Sequence, residues 1–169
     1  MKKIMFNDEY GLTEAVLQGR KTMTRRVINS ATLHWLQMQY GNNTLDWLRH
    51  VPYIPNTNVA VAQSYANLNT QGLLLDDGKQ TLANSKGWSN KMYVKADLMP
   101  HQIRITDARV ERLQDISEED CTKEGVKNTA KLAKWSPRSE FARLIDKVNG
   151  KGTWARNDYV WVYEFELVK

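Results

Sequence analysis

The run Tyr159-Val160-Trp161-Val162-Tyr163-Glu164-Phe165-Glu166-Leu167 limits the fold more than any other segment of this 169-residue chain. Its β-branched and aromatic side chains suit a pleated strand. Alternation puts Tyr159, Trp161, Tyr163, Phe165 and Leu167 on one face. Val160 and Val162 share the other face with Glu164 and Glu166. A strand with large apolar residues on both faces belongs inside a sheet that closes on itself or is covered on both sides. Residues 159–168 are therefore expected as a central strand.

The remaining pattern adds strands over 3–6, 23–28 and 58–63, a strand-like stretch over 92–96, and a long strand over 102–113 that bends near Asp107. Residues 10–18 read as a helix that Gly19 ends as a left-handed cap. Two short amphipathic helices fit residues 31–50 on either side of Gly41-Asn42-Asn43, with Trp35 and Trp47 expected in the core. Ser117 is placed to cap a helix that Asp120 supports and Gly125 ends. Pro137 opens a further helix, over 137–149, with Phe141, Leu144, Ile145 and Val148 on one face and Gly150 behind it. The polar stretch 64–90 is expected as a long loop carrying a small hairpin at Asp76-Asp77-Gly78. Strands outweigh helices in this order, which indicates an α+β fold: a small β-barrel with helical decoration, in one domain.

Composition narrows the function classes. With 41% hydrophobic residues the chain can bury a core without covalent staples. The formal net charge of +5 favours an anionic partner mildly. A lone cysteine, Cys121, excludes an intrachain disulfide and fits a reducing compartment. His34, His50 and His101 are widely separated, so neither a metal site nor another cofactor is expected. No apolar run reaches membrane-spanning length, and the apolar stretch after Met1-Lys2-Lys3 is too short for a signal peptide. The expectation is a cytoplasmic protein that does not engage a membrane; the oligomeric state is not readable.

Chemistry concentrates in Gly19-Arg20-Lys21-Thr22-Met23-Thr24-Arg25-Arg26, with four cations, two hydroxyls and no acid. On charge alone it reads equally as a basic turn or as a binding site for an anion. Lys21 and Thr24, three apart, point to opposite faces of an unbroken strand and converge only if the chain bends between them. Glu124 breaks a local rule, because it sits at the negative end of a helix dipole just before Gly125. It is either an exposed carboxylate near Lys127, or a proton-transfer group paired with a distant cation, for which Lys21 is the candidate.

The basic segment resembles the signature of the ASCH domain family, whose fold is a PUA-like β-barrel. The resemblance extends to Arg109-Val110-Glu111-Arg112-Leu113-Gln114-Asp115-Ile116-Ser117-Glu118-Glu119-Asp120 with Glu124-Gly125. It continues through Asn149-Gly150-Lys151-Gly152-Thr153-Trp154 and Asn157-Asp158-Tyr159-Val160-Trp161-Val162, and it is closest to the phage and prophage branch. It implies a single domain over 1–169 with insertions at about 31–57 and 64–98, and a pocket for RNA or a modified nucleoside. By analogy with ASCH enzymes that hydrolyse the amide of N4-acetylcytidine, it implies Lys21 as general base, Thr24 as nucleophile and Glu124 as proton donor. None of the three is expected in the core. The alternative is a non-catalytic RNA-binding module in which Arg20, Lys21, Arg25, Arg26 and Arg104 contact phosphates and aromatics stack bases.

Overall fold

The structure, a computed structural model, describes residues 1–74, 82–126 and 136–168. Five strands, β1 (Lys3–Ile4), β2 (Met23–Val27), β3 (Asn58–Val61), β4 (Gln102–Arg112) and β5 (Tyr159–Leu167), form one sheet in the order β1-β3-β4-β5-β2. Only β1 and β3 run parallel; the other neighbours are antiparallel. β5 lies inside the sheet, between β4 and β2, and Val160, Trp161, Val162, Tyr163 and Phe165 are all buried. Its two-faced apolar pattern has the expected cause: Trp161, Tyr163 and Phe165 enter one cluster with Ile4, Phe6 and Ile105, while Val160 and Val162 join Met23, Leu113 and Phe141 on the other side. The bend in β4 is a register shift between Ile105 and Asp107.

The sheet is not closed into a barrel, which corrects the expectation of a closed one. β1 is only two residues long, and the sheet ends on β1 and β2 without a ladder between them. Across that gap the Arg26 side chain donates to the Met5 carbonyl, an acceptor that closure would have given to a strand amide. The gap positions the candidate site.

Seven helices of the described residues decorate the sheet: α1 (Leu12–Leu17), α2 (Ser30–Tyr40), α3 (Thr44–Trp47), α4 (Tyr65–Thr70), α5 (Glu118–Lys123), α6 (Pro137–Asn149) and α7 (Thr153–Arg156). α1 ends as expected. Gly19 has φ +70°, its amide bonds the Val16 carbonyl and that of Arg20 bonds Ala15, which together make a Schellman cap. Ser117 caps α5 by accepting from the Asp120 amide, and Ser136 caps α6 by accepting from Ser139.

Three local expectations fail. Residues 65–70 are helical rather than loop, because Ser64 accepts from the Asn67 amide and Tyr65 and Leu68 are buried. The stretch 92–96 is not a strand but lies across two 3₁₀ turns, Lys91–Tyr93 and Ala96–Leu98. Trp47 is buried, but Trp35 is 45% exposed, set edge-on against His50 and Tyr40. Asp76-Asp77-Gly78 and Lys127 lie outside the described residues.

Candidate active site

Lys21 leaves the Schellman turn of α1 two residues before β2 begins, and its amide still bonds the Ala15 carbonyl. The chain then bends. The Thr22 amide bonds Lys123 at the end of α5, and the Thr22 carbonyl accepts from Phe165 on β5. These contacts pin the end of α5 to the start of β2, bringing Glu124 to Lys21 across 103 residues of sequence. The bend also resolves the strand-periodicity conflict, so that Lys21 and Thr24 line one cavity with Phe6 and Glu124.

Lys21 Nζ donates to Glu124 Oε2 at 2.7 Å, to the Glu124 carbonyl at 2.7 Å and to the Met23 carbonyl at 2.7 Å. The pair is nearly dry: Lys21 is 3% exposed and Glu124 4%. Lys21, Glu124 and Thr24, which is 5% exposed, are thus core residues, contrary to the expectation from sequence. Burial pushes the Lys21 amine below its ordinary value, and Glu124 opposes that shift without cancelling it. Among the described residues nothing hydrogen-bonds the Thr24 hydroxyl, which leaves it open to a ligand.

Arg25 faces inward. Its Nη1 lies 3.2 Å from Glu124 Oε1, and its Nη2 meets Glu111 at 2.9 Å and Asp120 at 2.8 Å. Burial opposes its charge, but Glu124, Asp120 and Glu111 outweigh that and raise its pKa. Arg109 extends the network to Glu111, to Asp120 at 3.1 Å and to Glu164 at 2.7 Å. Sequence reasoning assigned Glu111, Asp120 and Arg109 no part in the site. The available signal was the charged face of β4, where Asp107, Arg109 and Glu111 recur every second residue.

Arg26 sits over the Phe6 ring, with its guanidinium carbon 5.5 Å from the centroid, and burial lowers its pKa. Arg20 and Arg104 are exposed. Arg20 lines an outer groove of about 650 Å³ beside Gly125, whereas Arg104 on β4 stands opposite Glu166 on β5 and does not line the cavity. Among the described residues no group of His, Cys, Asp and Glu is arranged to hold a metal ion, and no helix is long and apolar enough to cross a membrane.

The cavity that unites Lys21, Thr24 and Glu124 measures about 70 Å³. That is far below the roughly 300–1,000 Å³ of sites for drug-sized ligands, so the cavity suits a small group rather than a whole nucleoside.

No family model matches the chain, and no curated protein matches it. Among solved structures, the chain is similar to an ASCH domain from Lactobacillus crispatus JV V101. The identity is 16%, over 96% of this chain and 76% of that one, with a TM-score of 0.43. It is also similar to a protein of Enterococcus faecalis V583 with the family model DUF984, at 17% identity over 99% of this chain and 80% of that one, with a TM-score of 0.48.

Proposed function

We propose that the chain is an ASCH-type hydrolase of PUA-like fold, one domain with insertions at about 31–57 and 64–98. It would cleave the amide of an acylated cytidine or related modified nucleoside in the cytoplasm. The mixed α+β architecture with its five-stranded sheet fits that fold. One observation carries the reading: Lys21 Nζ donates to Glu124 Oε2 at 2.7 Å in a dry cavity that the unengaged Thr24 also lines.

The ion pair and its neutral form differ by one proton moved over that distance. The neutral form holds the two groups an amidase needs, an amine as base and a carboxylic acid as proton donor. Burial of Lys21 favours this form. Arg25 lies 3.2 Å from Glu124 Oε1 and is held as well by Glu111 and Asp120. As Thr24 Oγ1 bonds the acyl carbon, its proton passes to Lys21. As the carbon–nitrogen bond breaks, the Glu124 proton passes to the leaving amine. Lys21 is then an ammonium and Glu124 a carboxylate. In the second half, water gives a proton to Glu124 and attacks the ester, and Lys21 returns its proton to the Thr24 oxygen as the acid departs. The neutral pair remains, and the net reaction is amide plus water to amine plus acid.

The RNA-binding alternative gains no specific observation. Of its four arginines, Arg25 is buried among carboxylates and Arg26 donates to a backbone carbonyl. The hydrolase reading is tested by quenching the protein in acid during reaction with N4-acetylcytidine and mapping peptides by mass spectrometry. An acetyl ester on Thr24 is expected, absent from Thr24→Ala; turnover without such an ester would remove the nucleophile assigned here.

A further inference from the structure

The cavity around Lys21, Thr24 and Glu124 has a charged wall and an apolar wall. Lys21, Arg25, Arg26 and Glu124 give the first its charge. The second is α6, whose Phe141, Leu144, Ile145 and Val148 all line the cavity. Their spacing of i, i+3, i+4 and i+7 makes one apolar stripe along the helix. Phe141 and Ile145 also join the core around Met23, whereas Leu144 and Val148 lie further out.

Exposure along this lining runs in one direction. Lys21, Thr24, Glu124, Phe6, Phe141 and Ile145 are buried. Met5, Asn7 and Leu144 are half-buried, while Val148 and Asn149 at the end of α6 are exposed. The cavity therefore opens between the end of α6 and the segment after β1 that carries Met5 and Asn7. The outer groove beside Gly125 is the rival entrance, since Leu12 and Leu144 line both spaces. On that side the buried Leu12 stands in the way.

The segment Asn149-Gly150-Lys151-Gly152-Thr153-Trp154, which the hydrolase chemistry does not use, fixes this end of α6. Gly150 turns the chain at φ +103°, a conformation that favours glycine. The Thr153 hydroxyl, in a fully buried residue, donates to the Gly150 carbonyl at 2.6 Å. Asp146 on α6 accepts from the Trp154 amide at 2.8 Å and from the Gly152 amide at 3.3 Å. The Trp154 ring stands edge-on to Phe141 with centroids 6.2 Å apart. These bonds tie α7 back onto α6 and hold Val148 and Asn149 at the opening.

The opening itself is uncharged: Met5, Asn7, Val148 and Asn149 line it, whereas the outer groove carries Glu9, Glu14, Arg20 and Lys147. Asn7 Oδ1 accepts from the Tyr10 amide at 3.1 Å. Among the described residues nothing bonds Asn7 Nδ2 or the side-chain amide of Asn149. An asparagine offers a donor and an acceptor side by side. We infer that Asn7 and the Val148–Asn149 end of α6 form the entrance to the cavity. Asn149 is a specificity-determining residue there, reading an uncharged group with adjacent donor and acceptor on the part of a ligand that stays outside. That the part inside is an acyl amide rests on the hydrolase reading; the entrance does not.

A thiol inside the cavity reports the route without any turnover. Thr24→Cys protein is treated at low salt with sulfonatoethyl methanethiosulfonate, an anion, or trimethylammonioethyl methanethiosulfonate, a cation. Labelling is followed by peptide mass, with the buried Cys121 as the check that the fold stays closed. Asn149→Lys is expected to speed the anion and slow the cation about twofold each, the scale of one charge about 8 Å away in water. Asn149→Asp should do the reverse, and Glu9→Lys in the outer groove should change neither rate. N4-acetylcytidine should protect the thiol, and Asn149→Ala should raise the concentration needed about tenfold, the scale of one lost hydrogen bond. If the charge changes act but N4-acetylcytidine neither protects nor is turned over by the unsubstituted chain, the entrance stands and the hydrolase reading falls. If the changes at Asn149 do nothing, or Glu9→Lys does as much, the entrance is wrong whatever the turnover. Protection that survives Asn149→Ala unchanged removes Asn149 as the residue that reads the ligand.

Discussion

Removing one member of a buried ion pair strands the other, and this separates the three candidate catalytic residues. Glu124→Ala should cost about 3–5 kcal/mol in chemical denaturation, because Lys21 is left with only carbonyl partners in a dry site. Lys21→Ala should cost less, because Arg25 still faces Glu124. Thr24→Ala should cost far less, since its hydroxyl has no hydrogen bond to lose. Equal losses for all three would contradict the geometry. Lys21 also sets a pH dependence. Its folded pKa lies below the unfolded value of 10.5, so between the two the unfolded chain binds more protons. Stability supplied through Lys21 therefore rises with pH across that window. The difference in unfolding free energy between the native chain and Lys21→Met should grow as pH climbs toward 10.5; a flat or falling difference would mean the amine stays charged throughout. At this scale the sequence was half legible. The misplaced carboxylate at a helix end pointed to Glu124 and to Lys21. Arg25, in contrast, sat in a basic run that reads as surface, and the carboxylates that bury it, Glu111 and Asp120, lie 86 and 95 residues away.

Two glycines show how the elements hold the site. Gly19 and Gly125 both adopt positive φ, +70° and +87°, where an L side chain costs about 1–2 kcal/mol. A methyl on Gly19 meets nothing within 4 Å, whereas one on Gly125 comes within 3.2 Å of Lys21 Cβ. Gly19→Ala and Gly125→Ala should therefore lose similar backbone stability, but only Gly125→Ala should depress kcat by moving Lys21 against Glu124. Similar kcat values for the two would show that this contact does not set the catalytic geometry. Most elements were readable because their signals are local: the Ser117 cap, Pro137 at the start of α6, and the two apolar faces of β5. The failures were equally physical. The helix at residues 65–70 depends on a single Ser64 cap inside a polar stretch, and whether β1 meets β2 depends on a contact between distant edges that no periodicity encodes.

On the whole molecule, the formal charge of +5 overstates the surface available to a polyanion, because two arginines of the basic segment point inward. Turnover of an uncharged nucleoside should therefore change little between low and moderate salt, unlike phosphate-driven RNA binding, which falls steeply. The most direct measurement is release of cytidine from N4-acetylcytidine by the native chain and by Thr24→Ala. Turnover by the first and none by a folded Thr24→Ala is the predicted result. Turnover that survives in Thr24→Ala, or that is absent from the native chain, would contradict the assignment of Lys21, Thr24 and Glu124 as a catalytic set.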